Sequence, residues 1–458
     1  MVIPVWFNDS KEGSDKFINS GSKENVRSDI QKAYFGTNEE TGWRSVKTYY
    51  EEESHGALTL TGTVSEWYSV NHPYTYYSTN SSRTASLVES ATTWYFNNHS
   101  DSRMNYDKDH DGYLDSVMLI YAAPDYYSLE KYSYSNLWAY CYGVDEPQKN
   151  YSEPGANVFF WASYDFMYDE STSLQRTGKT DYGGGDNSHC NLDTHTYIHE
   201  MGHVFGLEDY YDYSNNGYKP AGGFSMQDFN VGGHDPFSSY ALGWGSAYIP
   251  TKTTTIDLKP FQESGEMILL SPAPNSSNSP FDEYLLLEYY TPTGLNKFDC
   301  DYQYSSSSYP KGPKTSGIRV WHVDARLANC EYNYSTGDFD FTLTTNLPSS
   351  SNRVVMAMSN TSDDGEVSDG YLSPLGSDYY DFNILQLIRK DTSFSYTSIL
   401  QRTFSADDLF ITGNTFTMST YKRQFVKSGK LNSNVDLGYS FTVNSTNANR
   451  ASITVTKL

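Results

Sequence analysis

The sequence has little basic charge, few cysteines and no long apolar run. Its 458 residues include 32 lysines and arginines against 56 aspartates and glutamates, which gives a formal net charge of −24. Nucleic acid and anionic membranes both repel an acidic surface, so neither is expected as a partner. A membrane-spanning helix needs about twenty consecutive apolar residues, and the sequence contains no such run.

The four cysteines, Cys141, Cys190, Cys300 and Cys330, form no CxxC pair, so a cysteine-based zinc site is not expected. Of the three possible connectivities, the shared later region of Cys300 and Cys330 favours their pairing, which would leave Cys141 with Cys190. Four free, buried thiols are the alternative, because residues 1–7 resemble a strand and lack the features of a secretion signal.

The abundant residue is tyrosine. The chain has 42 of them, and hydrophobic residues make up only 37%. Because tyrosine combines a large apolar ring with a polar tip, a sizeable core is still possible. A chain of this length is expected to form two domains.

The most informative segment runs from His199 to Asp209 and has the pattern HExxHxxGxxD. Helical residues four apart lie on one face, so His199 and His203 can both direct an imidazole at one ion. Gly206 can leave the helix in a left-handed conformation, which would bring Asp209 back as a third ligand. Three protein ligands plus a water predict a catalytic zinc site rather than a closed structural one.

Glu200 follows the first predicted ligand and is the candidate general base, taking a proton from zinc-bound water. The alternative for the whole segment is an amphipathic helix with two polar residues and a glycine cap. His195, one turn upstream, is expected to support the start of the helix rather than to bind the ion. Asp193 is the candidate N-cap of this helix.

Further along, Gly222-Gly223-Phe224-Ser225-Met226 suits a tight turn that would place Met226 beneath the metal as an apolar floor. His234 and Tyr240 are alternative groups for stabilising the oxyanion of a tetrahedral intermediate. Three nearby carboxylates are expected to be surface or supporting groups rather than ligands: Asp212, Asp228 and Asp235.

A second candidate cation site lies at residues 107–115, where carboxylates alternate around Gly112 as in a calcium loop. Met118 stands where an EF-hand has a bidentate glutamate, and an apolar strand follows, so a calcium-stabilised turn is predicted instead. A solvated acidic turn is the alternative. The candidate calcium ligands are Asp107, Asp109, Asp111, Tyr113 and Asp115.

The pattern of predicted elements indicates an α+β protein. A continuous apolar run at Ser116–Ala122 is typical of a central strand, and the alternation at Ala57–Val64 predicts a half-buried one. A Gly-Trp-Gly cluster followed by Pro250 marks the predicted boundary between a catalytic domain, residues 1–248, and a β-rich domain, residues 249–458. The later domain, with strands predicted at Tyr284–Tyr290 and Gly317–Val323 among others, is expected to be β-sandwich-like.

These features resemble the immune inhibitor A family of secreted bacterial metallopeptidases, whose sites are metzincin-like. The resemblance extends over most of the chain and is carried, in order, by Phe7–Ser10, Ser45–Gly56, Trp67, Asp107–Asp115, the zinc motif, Ala241–Trp244, Tyr284–Glu288 and Gly317–Asp324. It implies a twisted mixed sheet with an active-site helix and a Met-turn. It also implies that zinc is bound by His199, His203 and Asp209, with Glu200 as the base.

The sequence therefore predicts a monomeric, zinc-dependent endopeptidase that cleaves proteins or peptides. The resemblance implies secretion or display at a bacterial cell surface. One alternative is a non-catalytic surface-binding or adhesin protein on a peptidase scaffold, since exposed tyrosines suit protein or glycan contacts. Another is a zinc hydrolase acting on a non-peptide substrate.

Overall fold

A computed structural model describes residues 1–12, 22–124, 136–144, 147–169, 189–213, 217–272, 279–304, 309–349, 353–361 and 373–458. The chain forms two compact units. The first comprises Met1–Glu52, Leu58–Glu208 and Tyr304–Ser307, and the second comprises Glu53–Ala57, Asp209–Gln303 and Ser308–Leu458.

The first unit is built on a five-stranded mixed sheet with the order β2-β1-β3-β5-β4. Its strands are β1 (Val2–Trp6), β2 (Tyr68–Ser69), β3 (Val117–Tyr121), β4 (Tyr140–Gly143) and β5 (Val158–Ser163). Neighbouring strands are parallel except for β4, which runs antiparallel to β5 at the edge. The helices of this part of the chain are α1 (Lys23–Phe35), α2 (Asn38–Thr41), α3 (Val46–Glu53), α4 (Tyr74–Tyr77), α5 (Ser81–Asn98) and α6 (His195–Val204).

Helices cover both faces of this sheet. All five residues of β3 are buried, as its continuous apolar run predicts for a strand covered on both sides. On one face, Phe159 and Trp161 of β5 join a core with Leu87 and Val88 of α5. On the other, Phe160 of the same strand packs edge-to-face on Tyr197 of α6, with ring centroids 5.8 Å apart. The sheet is thus the platform for the helix that carries the histidine motif.

The second unit is rich in antiparallel sheet. Its larger sheet has the order β14-β10-β9-β8-β6, a four-stranded sheet has the order β15-β16-β17-β7, and a three-stranded sheet has the order β12-β11-β13. The strands are β6 (Ser246–Tyr248), β7 (Thr254–Leu258), β8 (Glu266–Leu270), β9 (Glu283–Tyr290), β10 (Gly317–Asp324), β11 (Leu327–Asn333), β12 (Asp338–Thr344), β13 (Val354–Met356), β14 (Leu385–Ile388), β15 (Thr415–Thr417), β16 (Tyr439–Asn447) and β17 (Arg450–Lys457). The short helices are α7 (Pro236–Ala241), α8 (Phe261–Ser264), α9 (Asn296–Asp301) and α10 (Tyr396–Ile399).

Strand β9 shows how the larger sheet is buried on both faces. Leu285 and Leu287 belong to a core shared with Phe441 and Ile453 of the four-stranded sheet. Leu286, which points the opposite way, belongs to a second core on the other face. Two sheets therefore share one hydrophobic layer. A β-sandwich-like domain over residues 249–458, and the division after residue 248, remain predictions.

The fold confirms some of the sequence predictions and contradicts others. The predicted mixture of helices and strands is confirmed for the first unit. The strand predicted at Ala57–Val64 is wrong, because this mostly exposed segment pairs with the sheet only through the single bridge between Val64 and Val2. The two favoured disulfides are also absent. All four cysteines are thiols rather than disulfides, and three of them are buried. Among the described residues, no helix is long and apolar enough to cross a membrane.

Candidate metal centre

The predicted metal helix is α6, and Asp193 helps to fix its first turn. The N-cap is Thr194, whose side chain makes no capping hydrogen bond. Asp193 instead accepts the backbone N–H of His195 through Oδ1 at 3.0 Å. Asp193 therefore supplies a capping oxygen, as predicted. It lies one residue before the N-cap position rather than at it.

The end of α6 is built on Gly206. This residue has φ of +89°, in the left-handed region. A Cβ placed on Gly206 would meet no atom within 4 Å, so the glycine is needed for its backbone angle and not for space. The chain turns here as the motif predicts, with the Leu207 N–H donating to the Gly202 carbonyl at 3.1 Å.

His199, His203 and Asp209 each offer one ligand atom, and these atoms lie within 4.8 Å of one another. All three side chains are partly buried. His203 Nδ1 lies 2.8 Å from the Leu207 carbonyl, and because a carbonyl can only accept, Nδ1 carries the proton. That tautomer leaves Nε2 with the lone pair a metal needs. Two imidazoles and a carboxylate are a donor set that suits zinc.

Glu200 lies on the same helix and is 6% exposed. Burial is the main reason that the pKa of Cys141 rises to about 12, and the negative charge of Glu200 contributes to the rise. The pKa of Tyr34 is raised well above its usual value for the same two reasons, in the same order. The carboxylate therefore lies in a poorly hydrated part of the first unit, near β4 and α1.

Three tyrosines that the sequence reasoning did not single out hold α6 in place. Tyr50 donates to the Ile198 carbonyl at 2.7 Å, and Tyr197 donates to the Ser163 carbonyl at 2.8 Å. Tyr304 donates to Asp193 Oδ2 at 2.9 Å, and its ring lies 4.6 Å from that of His195. His195 is thus a buried residue at the helix start, as expected. In a chain with so many tyrosines, no sequence signal distinguishes these three.

The glycine-rich segment after the motif does form tight turns. Gly222 and Gly223 both have positive φ, and Met226 is fully buried. Asp228 accepts the Gly223 N–H at 2.9 Å, and Asp235 accepts the Ser225 hydroxyl at 2.7 Å. These two carboxylates are supporting groups. Burial raises the pKa of Asp228 to about 7.

The placement of Met226 beneath a metal remains a prediction. His234 is buried and Tyr240 is half-buried, and both remain alternatives for stabilising the oxyanion.

The acidic turn brings Asp107, Asp109 and Asp111 together, with one oxygen of each within 4.8 Å of the others. Asp107 is buried and accepts the N–H groups of Asp111 and Gly112 at 3.1 and 3.2 Å. Asp115 instead accepts the Lys108 N–H at 2.9 Å. Tyr113 forms an isolated bridge with Gly155. Asp115 does not belong to the converging group, and a ligand role for Tyr113 remains a prediction.

His322 and Asp324 of β10 lie in a second histidine–carboxylate region, which we call the buried polar cluster. His322 Nε2 lies 2.8 Å from Glu283 Oε1. Asp324 accepts two hydrogen bonds from the Arg326 guanidinium, both at 2.7 Å, and one from the Asn432 amide at 3.0 Å. The cluster consists of Glu283, His322, Asp324, Arg326 and Asn432. His322 is therefore a buried and hydrogen-bonded histidine.

Two histidines on an HExxH helix that packs on a mixed sheet, with an aspartate after the helix, are the arrangement of a metallopeptidase. The family model for the immune inhibitor A peptidase M6, catalytic domain, matches residues 8–127. This segment is similar to the catalytic domain of that metallopeptidase family, which supports the resemblance that the motifs indicated. The matched segment includes the acidic turn and β3 and ends before α6. No curated protein matches the chain.

Proposed function

We propose that this protein is a zinc-dependent endopeptidase, with zinc held by His199, His203 and Asp209. The observation that carries the proposal is the convergence of these three ligand atoms, with Glu200 following His199 on α6. The half-buried ligands leave the ion accessible to a substrate, and the protonated Nδ1 of His203 leaves Nε2 for the metal. A metallopeptidase family implies protein or peptide substrates.

Glu200 is the residue that moves protons in this proposal. Bound zinc would polarise the scissile carbonyl as a Lewis acid. Glu200 removes a proton from the attacking water and returns it to the leaving amine. Tyr50 and Tyr197 keep the helix fixed, so the base and the two histidines hold their relative positions.

The decisive test is metal-dependent cleavage of an unfolded protein by the wild type and by Glu200→Ala. General-base catalysis contributes about 10²–10⁴-fold, so we expect a loss of that size with about one zinc retained per chain. Glu89→Ala on α5 removes an exposed helical carboxylate and is the matched control, with unchanged activity expected. Equal cleavage by the wild type and Glu200→Ala would contradict the role of Glu200 as the general base.

A non-catalytic binding protein is the second candidate, and exposed aromatic rings favour it. Tyr334 is 92% exposed, Tyr151 62% and Tyr142 60%. Exposed tyrosines suit contacts with proteins or glycans. Zinc binding without cleavage by the wild type in the same assay would favour this candidate.

We also propose that the acidic turn binds calcium through Asp107, Asp109 and Asp111. Support comes from the convergence of their oxygens and from the burial of Asp107, while the backbone bonds to Asp107 also suit a turn without an ion. Calorimetric titration should show calcium binding that Asp109→Asn weakens. If no binding is seen at millimolar calcium, the acidic turn is a structural turn that does not bind calcium.

Secretion or display at a bacterial cell surface, and a monomeric state, complete the proposal. The first is inferred from the similarity of residues 8–127 to a family of secreted peptidases. Fractionation of the producing cells and analytical ultracentrifugation of the purified protein test the two points separately. Detection of the protein only within cells, or of a stable dimer, would overturn the corresponding point.

A further inference from the structure

Asp209 stands apart from the other two candidate ligands because it lies outside a helix. His199 and His203 are fixed by α6, and His203 is further held by the Leu207 carbonyl. Asp209 follows the left-handed turn at Gly206, in a segment without regular secondary structure. A ligand on such a segment depends on side-chain contacts for its orientation.

Tyr213 provides such a contact, since its hydroxyl donates a hydrogen bond to Asp209 Oδ2. The other carboxylate oxygen, Oδ1, is buried. A carboxylate that accepts a strong hydrogen bond on one oxygen is fixed about its side-chain torsions and directs the other oxygen to a second partner.

The ring of Tyr213 is itself held by aromatic neighbours, although the residue is 39% exposed. It packs edge-to-face on Tyr211 at a centroid distance of 5.2 Å, and Tyr211 packs on Phe229, also at 5.2 Å. Phe229 in turn contacts the ring of Tyr309 at 5.5 Å. This row of rings limits the positions that the Tyr213 hydroxyl can take.

We propose that Tyr213 is a positioning residue for the metal centre, holding Oδ2 of Asp209 so that Oδ1 faces the ion. The inference rests on the proposed function, because it assumes that Asp209 is a ligand. The hydrogen bond fixes the carboxylate and draws negative charge away from it, so Asp209 binds through one oxygen. Tyr213 thus does for Asp209 what the Leu207 carbonyl does for His203.

The test is the zinc affinity of Tyr213→Phe, measured by competition with a chromophoric chelator. The substitution removes the hydroxyl and keeps the ring that packs on Tyr211. Loss of an outer partner of a metal ligand costs about 10–100-fold in affinity, and we expect a loss in that range. Tyr211→Phe makes the same chemical change two residues away and should bind zinc as the wild type does.

Two further readouts separate positioning from a general loss of structure. Denaturant unfolding in excess chelator should give the same midpoint for Tyr213→Phe and the wild type. The visible absorption bands of the cobalt-substituted protein should change in Tyr213→Phe and not in Tyr211→Phe, because they report the ligands around the ion.

The outcomes distinguish failure of this inference from failure of the proposed function. Wild-type protein that binds no zinc would contradict the proposed function and, with it, the role of Tyr213. Tight binding by the wild type with equal affinity in Tyr213→Phe would overturn only the inference. A matching loss in Tyr211→Phe would also overturn it, since removal of a neighbouring hydroxyl would then have the same effect and the bond to Asp209 Oδ2 would not account for the loss.

Discussion

The metal-ligand segment, residues 199–209, and the buried polar cluster both combine histidine with carboxylate, yet they use the pairing in opposite ways. In the first, His199, His203 and Asp209 are partly exposed and direct ligand atoms toward one place. In the second, Glu283, His322 and Asp324 are nearly inaccessible, and each carboxylate accepts hydrogen bonds from several neighbours. A reactive centre keeps bonding capacity directed at a ligand, whereas a structural cluster uses that capacity internally.

The buried polar cluster also links distant parts of the chain. Glu283 of β9 accepts hydrogen bonds from His322 of β10 and from the backbone N–H groups of Asn432 and Ser433. The Asn432 side chain donates to Asp324. Two strands and a distant loop are therefore joined by charge-assisted bonds, which are stronger than neutral ones. Such a cluster should govern stability, and the metal-ligand segment should govern activity.

The largest expected effect separates the two regions by activity. His203→Ala removes a ligand and should abolish cleavage and weaken zinc binding more than about 100-fold, beyond the range for outer partners. His322→Ala is the matched control and should leave the zinc dissociation constant unchanged at a temperature where the variant is folded. Cleavage assays and chelator competition on both variants make the comparison. Normal zinc binding by His203→Ala would contradict the assignment of His203 as a zinc ligand.

The second prediction compares the stability of the same two variants, and here His322→Ala should have the larger effect. His322→Ala leaves the buried Glu283 carboxylate without its imidazole partner, and breaking a buried pair in this way costs about 3–5 kcal/mol. His203→Ala should change the free energy of unfolding far less, because its ring is partly exposed. Denaturant unfolding in excess chelator removes any contribution from bound metal. Similar losses in the two variants would contradict the distinction.

The smallest expected effect is a change in stability at low pH. Burial alone would raise the pKa of Glu283, but hydrogen bonding and charge interaction with His322, together with bonds from Ser433, lower it to about 2. A carboxyl whose folded pKa is depressed contributes stability above its unfolded pKa, about 4.5, and loses it as pH falls toward 2. The stability advantage of the wild type over Glu283→Gln should therefore narrow over this window, by on the order of 2 kcal/mol.

Unfolding curves of the wild type and Glu283→Gln at matched pH values between 2 and 6 measure this difference. Other buried acids, such as Asp228 and Asp299, are present in both proteins and cancel in the comparison. A stability difference that stays constant with pH would mean that Glu283 does not titrate in this range.

Elements with strong local patterns could be predicted from the sequence. The apolar run of β3, the predicted strand at Tyr284–Tyr290 and the HExxH helix all appear within a residue or two of their expected bounds. Strand β16 was not predicted because its end, Asn-Ser-Thr-Asn, has the composition of a loop. The alternation at Ala57–Val64 failed for the converse reason, since it has a strand pattern but pairs at one point only.

The chemistry of the candidate site could be predicted from local sequence: the residue types, their helical spacing, and the glycine that ends the helix with a positive φ. Those features depend on neighbours within one or two turns of the chain, so local physics fixes them. Other contacts became visible only in the folded protein: the tyrosines that hold α6, the hydrogen bond from Tyr213 to Asp209, and the pairing of His322 with Glu283. Most of these contacts join residues far apart in the chain, and the Tyr213 bond lies in a segment without regular structure. They depend on where strands and loops return in the folded protein, which no local pattern encodes.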